Sequence, residues 1–284
     1  MKIATFIEEN TIKYGVVHGE EITAVRPSFL EKHPSVKDVL TADALDELKN
    51  EVQTSRIKIP LTSVQLLPPV HNPSRIFCVG INYPKRYPIN NTPMPPPENI
   101  ILFAKLDGTL VGHNTPLEMP KGEAAKTFDY EGEIVVVIGK NGRFIPESDT
   151  MNYVAGYTIM NDGSVRGWQK HSVHAGKNFA NSGSCGPWLV TADKINDPFE
   201  MTLKTRLNGE EVQNTIAKNM VFQIPALIAY LSHTIDLRPG DLIATGSPEG
   251  SGGSRQPQRF LQVGDELEIE VSGVGILKNK VQES

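Results

Sequence analysis

The chain has 284 residues and a formal net charge of -5, with 39% hydrophobic and 21% charged residues. That is enough chain for one large core, or a core plus a small appendage, in an ordinary globular composition. The mild acidity and the lack of a basic run argue against nucleic acid or an anionic membrane surface as a partner. Two cysteines far apart in sequence, Cys78 and Cys185, exclude a disulfide framework and a cysteine-rich zinc site, and read as buried thiols of a cytoplasmic protein. Met1 to Phe6 runs straight into polar residues, so no signal peptide is expected, and no apolar run reaches the ~20 residues of a membrane span.

In chain order, Ile3 to Ile7, Lys13 to Val17 and Glu21 to Val25 read as short strands between polar turns. Thr41 is placed to cap a helix over Ala42 to Val52, with Leu45 and Leu48 on one face. Leu66-Leu67-Pro68-Pro69-Val70 reads as a linker, which divides the chain into a small N-terminal α+β domain, 1–69, and a main domain, 70–284. The main domain opens with a strand at Arg75 to Gly80, then a Pro/Asn-rich loop from Tyr83 to Asn99 long enough to serve a function. Further strands are expected at Ile100 to Lys105, Glu131 to Ile138, Val154 to Met160, Trp188 to Thr191, Met201 to Leu207, Leu242 to Thr245, Glu266 to Val271 and Ile276 to Val281. One helix stands out, with Pro225 at its start and Leu227, Ile228 and Leu231 along one face. The fold class is α+β with β dominant.

The segment Asp129-Tyr130-Glu131-Gly132-Glu133-Ile134-Val135-Val136-Val137-Ile138-Gly139 carries the most chemistry. Strand alternation puts Glu131 and Glu133 on one face with Val135 and Val137. If that face is buried, both charges need a partner, and a hard divalent cation suits carboxylate oxygens. The alternative is a strand that begins at the surface with two solvated glutamates, a common arrangement. Asp162 adds a third acid where Val154 to Met160 runs into Asn161-Asp162-Gly163; the short helix expected next carries Arg166 and Gln169 on one face, and Lys177 follows.

These residues, taken together, resemble the fumarylacetoacetate hydrolase family. The matching stretches are Gly80-Ile81-Asn82-Tyr83, Phe103-Ala104-Lys105, Asp129-Tyr130-Glu131-Gly132-Glu133, Gly156-Tyr157 through Asn161-Asp162, Arg166 with Gln169, Gly176-Lys177-Asn178-Phe179, Gly186-Pro187-Trp188-Leu189-Val190-Thr191, Asn208-Gly209-Glu210, and Pro239 through Pro248. They span about residues 70 to 284 in the family's order, and the first 70 residues resemble the small N-terminal domain of many bacterial members. The resemblance implies a mixed β-roll with the site in its mouth. It implies Mg²⁺ or Mn²⁺ on Glu131, Glu133 and Asp162, with a small 2-oxo or diketo acid substrate and a homodimer. Lys177 matches the active-site lysine. Tyr83, Arg166, Gln169, Thr245, Gly246 and Ser247 match residues that line the substrate site.

One departure bears on the reaction. Catalytic members commonly carry a His after the Asn-Tyr pair, with a Glu one turn later, to activate water. Here Arg86 stands at the His position and Ile89 at the Glu position. Arginine stays protonated and is no general base, so three explanations compete: a reaction that needs no activated water, with Arg86 binding a distal substrate carboxylate; a substitute base; or a binding module without turnover. His113, His171 and His174 are substitute bases to be considered. No phosphate-binding loop or serine nucleophile elbow is present in context. The first expectation is metal-dependent hydrolysis of a C–C bond in an acylpyruvate-like or 2,4-dioxo acid by way of a stabilised enolate. The second, which Arg86 favours, is decarboxylation or keto–enol isomerisation of a dicarboxylic 2-oxo acid such as oxaloacetate. The third is a non-catalytic metabolite-binding protein.

Overall fold

The computed structural model describes residues 1–85 and 92–284. The site is carried by strands β1 (Lys2–Glu8), β2 (Ile76–Gly80), β3 (Ile101–Lys105), β4 (Gly132–Ile138), β5 (Val154–Asn161), β6 (Gly183–Thr191) and β7 (Leu242–Ala244). They lie side by side in the order β1-β6-β5-β4-β7-β2-β3 within a 12-stranded sheet. Neighbours are antiparallel except β7 and β2, which makes the sheet mixed. The strands Thr11–His18 and Glu21–Ala24 continue the sheet beyond β1, so the first residues of the chain are hydrogen-bonded into the same sheet as the acidic strand.

A second sheet of five strands runs Glu210–Ile216, Thr202–Leu207, Glu266–Val271, Gly275–Glu283, Leu117–Met119. The alternation of β4 explains how the two sheets and the N-terminal helices pack. Ile134, Val136 and Ile138 enter a core shared with Leu203, Leu207 and Ile269 of the second sheet. Val135 and Val137 enter another core, with Val36, Val39, Leu48, Cys78, Met160 and Cys185. Every residue of β4 is therefore buried, the pattern of a central strand covered on both faces. Gly132 is required at the crossing: a Cβ there would lie 2.3 Å from Thr205 Oγ1. Burial pushes the Cys185 thiol up to about 12, consistent with an inert core thiol.

The structure alters several expectations. Leu66 and Leu67, read as the start of a linker, belong to a strand, Gln65–Leu67, that pairs antiparallel with β1. The helix expected from Ala42 is two helices, Val36–Thr41 and Leu45–Thr54, separated by Asp43 at φ 52°. That left-handed residue breaks the helix, and the Thr41 hydroxyl donates to Lys37 O instead of capping. The strand Glu210–Ile216 was not foreseen, because its charged start hides it. The signal was Asn208-Gly209, whose φ values of 52° and 83° fit the tight hairpin turn joining it to Thr202–Leu207. Helices α1 (Arg166–Gln169) and α3 (Ile224–Thr234) follow the expected pattern, with Leu227, Ile228 and Leu231 buried on α3, whereas the stretch before Lys177, which reads as a loop in the sequence, is a short helix, α2 (Val173–Lys177), capped by Ser172. Among the described residues no helix is long and apolar enough to cross a membrane.

Candidate metal and substrate site

Glu131, Glu133 and Asp162 come together at the end of β4 and β5, with one carboxylate oxygen from each within 4.8 Å of the others. The backbone sets this up. Glu131 N donates to Asn161 Oδ1 at 3.1 Å, and Asp162 N donates to Glu131 O at 2.8 Å, which locks the two strand ends in register. Glu131 is 6% exposed, Glu133 1% and Asp162 0%, so the solvated-glutamate reading of this segment does not hold. Carboxylates this deep require partners.

Cations crowd one side. Lys177, delivered by the last turn of α2, donates to Glu131 and, at 2.5 Å, to Asp162 Oδ2. Arg166 on α1 spans two acids, with Nη2 2.7 Å from Glu131 Oε1 and Nε 2.7 Å from Asp129 Oδ2. Lys105 at the end of β3 reaches Asp162 Oδ1 at 2.8 Å and Lys177 O at 2.6 Å. Glu133 lacks such a cation among the described residues; its carboxylate accepts from Gly246 N at 2.8 Å.

The electrostatics follow this division. Burial raises Glu131, but the charges of Arg166 and Lys177 outweigh it and hold the carboxyl well below its usual range. Burial and then the charges of Asp162 and Glu131 push Glu133 well up, with Lys177 and the Gly246 N–H offsetting them in part. Burial opposes charge on Lys177, yet Asp162 and Glu131 more than reverse it, so its ammonium stays protonated. The donor set tests well for a hard cation. All three converging ligands are oxygens, and four buried carboxylates, counting Asp129, face three contacting cations, leaving Glu133 with a neutral donor.

The remaining expected residues sit around this cluster. Tyr83 is buried, and its hydroxyl has no hydrogen-bond partner among the described residues. Burial and the charge of Glu133 keep that phenol protonated. Asn82 beside it staples two loops, donating to Thr245 O at 2.8 Å and accepting from Phe222 N at 2.8 Å. Gly246 takes φ +100°, where a Cβ would approach Asn82 Cβ to 2.7 Å. Thr245 is spent on structure, its hydroxyl donating to Ile134 O at 2.9 Å, and Ser247 is buried next to it. Gln169 packs against Gly176, the residue before Lys177. Arg86 and Ile89 lie outside the described residues. The histidines are engaged elsewhere: His113 Nδ1 accepts from Lys278 N, His171 lies against Trp168, and His174 pairs with Asn178.

Two residues were not singled out from the sequence. Asp129 is fully buried and gathers four donors: Tyr130 N, Gly252 N at 2.7 Å, Gly253 N at 2.9 Å and Arg166 Nε. It ties the 250–254 loop to the arginine that holds Glu131. Lys105 is buried beside Asp162 with no exposed side-chain surface. Its signal was a lysine closing an apolar strand.

Comparison with known proteins agrees with this geometry. Residues 75–282 match the family described as fumarylacetoacetate (FAA) hydrolase C-terminal, and residues 1–69 match the one described as Rv2993c-like, N-terminal. The chain is 37% identical over 242 residues to the mitochondrial oxaloacetate tautomerase fahd2 of Xenopus laevis, covering 84% of this chain and 75% of that protein. Among solved structures, the fumarylacetoacetate hydrolase of Exiguobacterium antarcticum superposes with TM-score 0.84 at 28% identity, over all of both chains. The maleylpyruvate hydrolase of Sphingobium sp. SYK-6, in complex with manganese(II) and pyruvate, superposes with TM-score 0.81 at 27% identity, again over all of both chains. Two hydrolases thus share this fold and a tautomerase shares its sequence over most of the chain, and the chain belongs to the fumarylacetoacetate hydrolase family.

Proposed function

We propose that the protein is a divalent-metal-dependent tautomerase that interconverts the enol and keto forms of a dicarboxylic 2-oxo acid of the oxaloacetate type. The observation that carries this reading is the absence of a water-activating histidine among the described residues around the carboxylates, where His113, His171 and His174 are all engaged elsewhere. Tautomerisation moves one proton between carbon and oxygen and consumes no water. The relatives support the same choice: oxaloacetate tautomerases at 36–40% identity cover 78–84% of this chain.

In this reading Glu131, Glu133 and Asp162 hold Mg²⁺ or Mn²⁺, which when bound supplies Lewis-acid stabilisation of negative charge at a 2-oxo carboxylate. The chain's own groups do the rest. Lys177, held protonated by Asp162 and Glu131, donates a hydrogen bond to the 2-oxo oxygen, the atom that carries the proton in the enol and gives it up to carbon in the keto form. Arg166 fixes Glu131, and through Asp129 it fixes the loop that walls the site. The partnerless Tyr83 hydroxyl, buried and protonated, is a further donor for a bound anion.

The test is an assay of the Mn²⁺-loaded protein on oxaloacetate, following decay of the enol absorbance alongside CO₂ release, with acylpyruvate cleavage measured in parallel. Enol decay well above the metal-only rate, outpacing the other two and lost on chelation, is the expected result. Faster CO₂ release or faster acylpyruvate cleavage would replace this reading with decarboxylase or hydrolase.

A further inference from the structure

We propose that Lys85 is the specificity-determining residue of this site: its ammonium binds the distal carboxylate of the substrate in the cavity beside Tyr83 and so selects dicarboxylic over monocarboxylic 2-oxo acids. The inference deepens the proposed function and rests on it for the identity of the 2-oxo acid head.

A cavity of about 350 Å³ is walled by Tyr83, Lys85, Met94, Pro96, Met220 and Val221 among others. Val221 N donates to Asn82 O, and Asn82 holds Thr245 beside the Gly246 that donates to Glu133, which ties this wall to the carboxylate cluster. Its lining is otherwise apolar or neutral, and Lys85 is the one charged residue among those described. The ammonium makes no ion pair and no side-chain hydrogen bond among the described residues, although Lys85 is only partly exposed. Its main chain is anchored, with Lys85 O accepting from Met94 N at 2.8 Å. A cation against an apolar wall is poorly screened and gains more from an anion than one in open water does.

The nearest acids do not satisfy it. Glu131 is close enough for Lys85 to help Arg166 and Lys177 outweigh the effect of its burial, but its oxygens are already taken by those two residues. Beside Lys85, the buried Tyr83 hydroxyl is also without a partner and lies within the field of Glu133. Tyr83 and Lys85 both line the cavity, and each lies within the field of one of the acids that bind the head of the substrate, Glu133 and Glu131. Among the described residues, the four carboxylates Asp129, Glu131, Glu133 and Asp162 are balanced by Lys85, Lys105, Arg166 and Lys177. A divalent ion adds two positive charges to that set, which a dicarboxylate neutralises and a monocarboxylate does not. The volume also leaves room for a chain longer than four carbons.

The experiment separates this from the tautomerase reading by measuring binding without turnover. The Mn²⁺-loaded full-length protein is titrated calorimetrically with 2-oxoglutarate and with 2-oxobutyrate, acids with the same head and with or without a second carboxylate. Wild type is expected to prefer 2-oxoglutarate. Lys85→Ala is expected to weaken 2-oxoglutarate by about 10- to 100-fold while 2-oxobutyrate changes by less than about 3-fold, with Lys85→Arg restoring most of the preference. KM for oxaloacetate should rise in step with the 2-oxoglutarate Kd. Equal affinity of wild type for the two acids, or a loss in Lys85→Ala that is the same for both, would overturn the assignment. If the preference holds but enol decay is not accelerated, the tautomerase reading fails and Lys85 stands.

Discussion

Glu131 and Glu133 leave the same face of one strand two residues apart, yet they occupy opposite environments. Glu131 is gripped by Arg166 and Lys177 and is held ionised below the usual carboxylate range. Glu133 meets a single backbone N–H and is pushed well up by burial and by its acidic neighbours. The difference teaches how a fold keeps a buried acidic cluster intact: one side is neutralised permanently by the chain's own cations, while the other is left to a proton or to a metal ion. A ligand set built wholly like the Glu131 side would resist the metal, and one built wholly like the Glu133 side would resist folding.

The largest test of this asymmetry is to make the two glutamates isosteric amides in turn. In chelator-treated protein, Glu131→Gln leaves Lys177 and Arg166 facing one charge fewer and is expected to cost about 3–5 kcal/mol in denaturant unfolding. Glu133→Gln should fall within about 1 kcal/mol of wild type, because the neutral form is the favoured one there. Both variants should bind Mn²⁺ more than about 100-fold more weakly. Equal destabilisation by the two substitutions would break the comparison.

A smaller effect is expected at the single donor on the Glu133 side. Gly246→Ala forces a side chain into φ +100° against Asn82 and should cost about 1–3 kcal/mol, with weaker Mn²⁺ binding as the N–H to Glu133 shifts. The gentlest test is pH. Glu133 has a raised pKa in the folded protein, so between the ordinary carboxylate range and that raised value the native state holds more protons than the unfolded chain. Metal-free wild type should therefore be most stable below this window and lose stability as pH rises through it, at no more than about 1.4 kcal/mol per pH unit. Glu133→Gln should lack this contribution. A wild-type slope of the opposite sign over that interval, absent from Glu133→Gln, would contradict the assignment.

Much of this site is legible in the sequence. Period-two alternation alone places Glu131 and Glu133 together, and the order of the family motifs adds Asp162, Arg166 and Lys177. What alternation does not reveal is whether the opposite face is covered. Gly132 is the residue that lets the second sheet approach, but nothing local announces Thr205 and Ile269 as its neighbours. The sequence around Asp129 does not disclose its role, since its partners Gly252 and Gly253 come from a loop far along the chain. Lys105 was hidden for the same reason: a buried lysine makes sense only once Asp162 is beside it. The expected helix cap at Thr41 failed because Asp43 adopts a backbone conformation that composition does not reveal.

The packing of β4 between two cores has a mechanical consequence. Val135 and Val137, next along the strand from its acidic end, share a core with Val36, Val39 and Leu48 of the N-terminal helices. The first fifty residues thus act as a buttress under the carboxylates. Stripping them away would bare a greasy underside and invite clumping, and trimming a single valine there would let the floor sag. Changes that alter the chemistry can therefore arise in a segment that carries none of it.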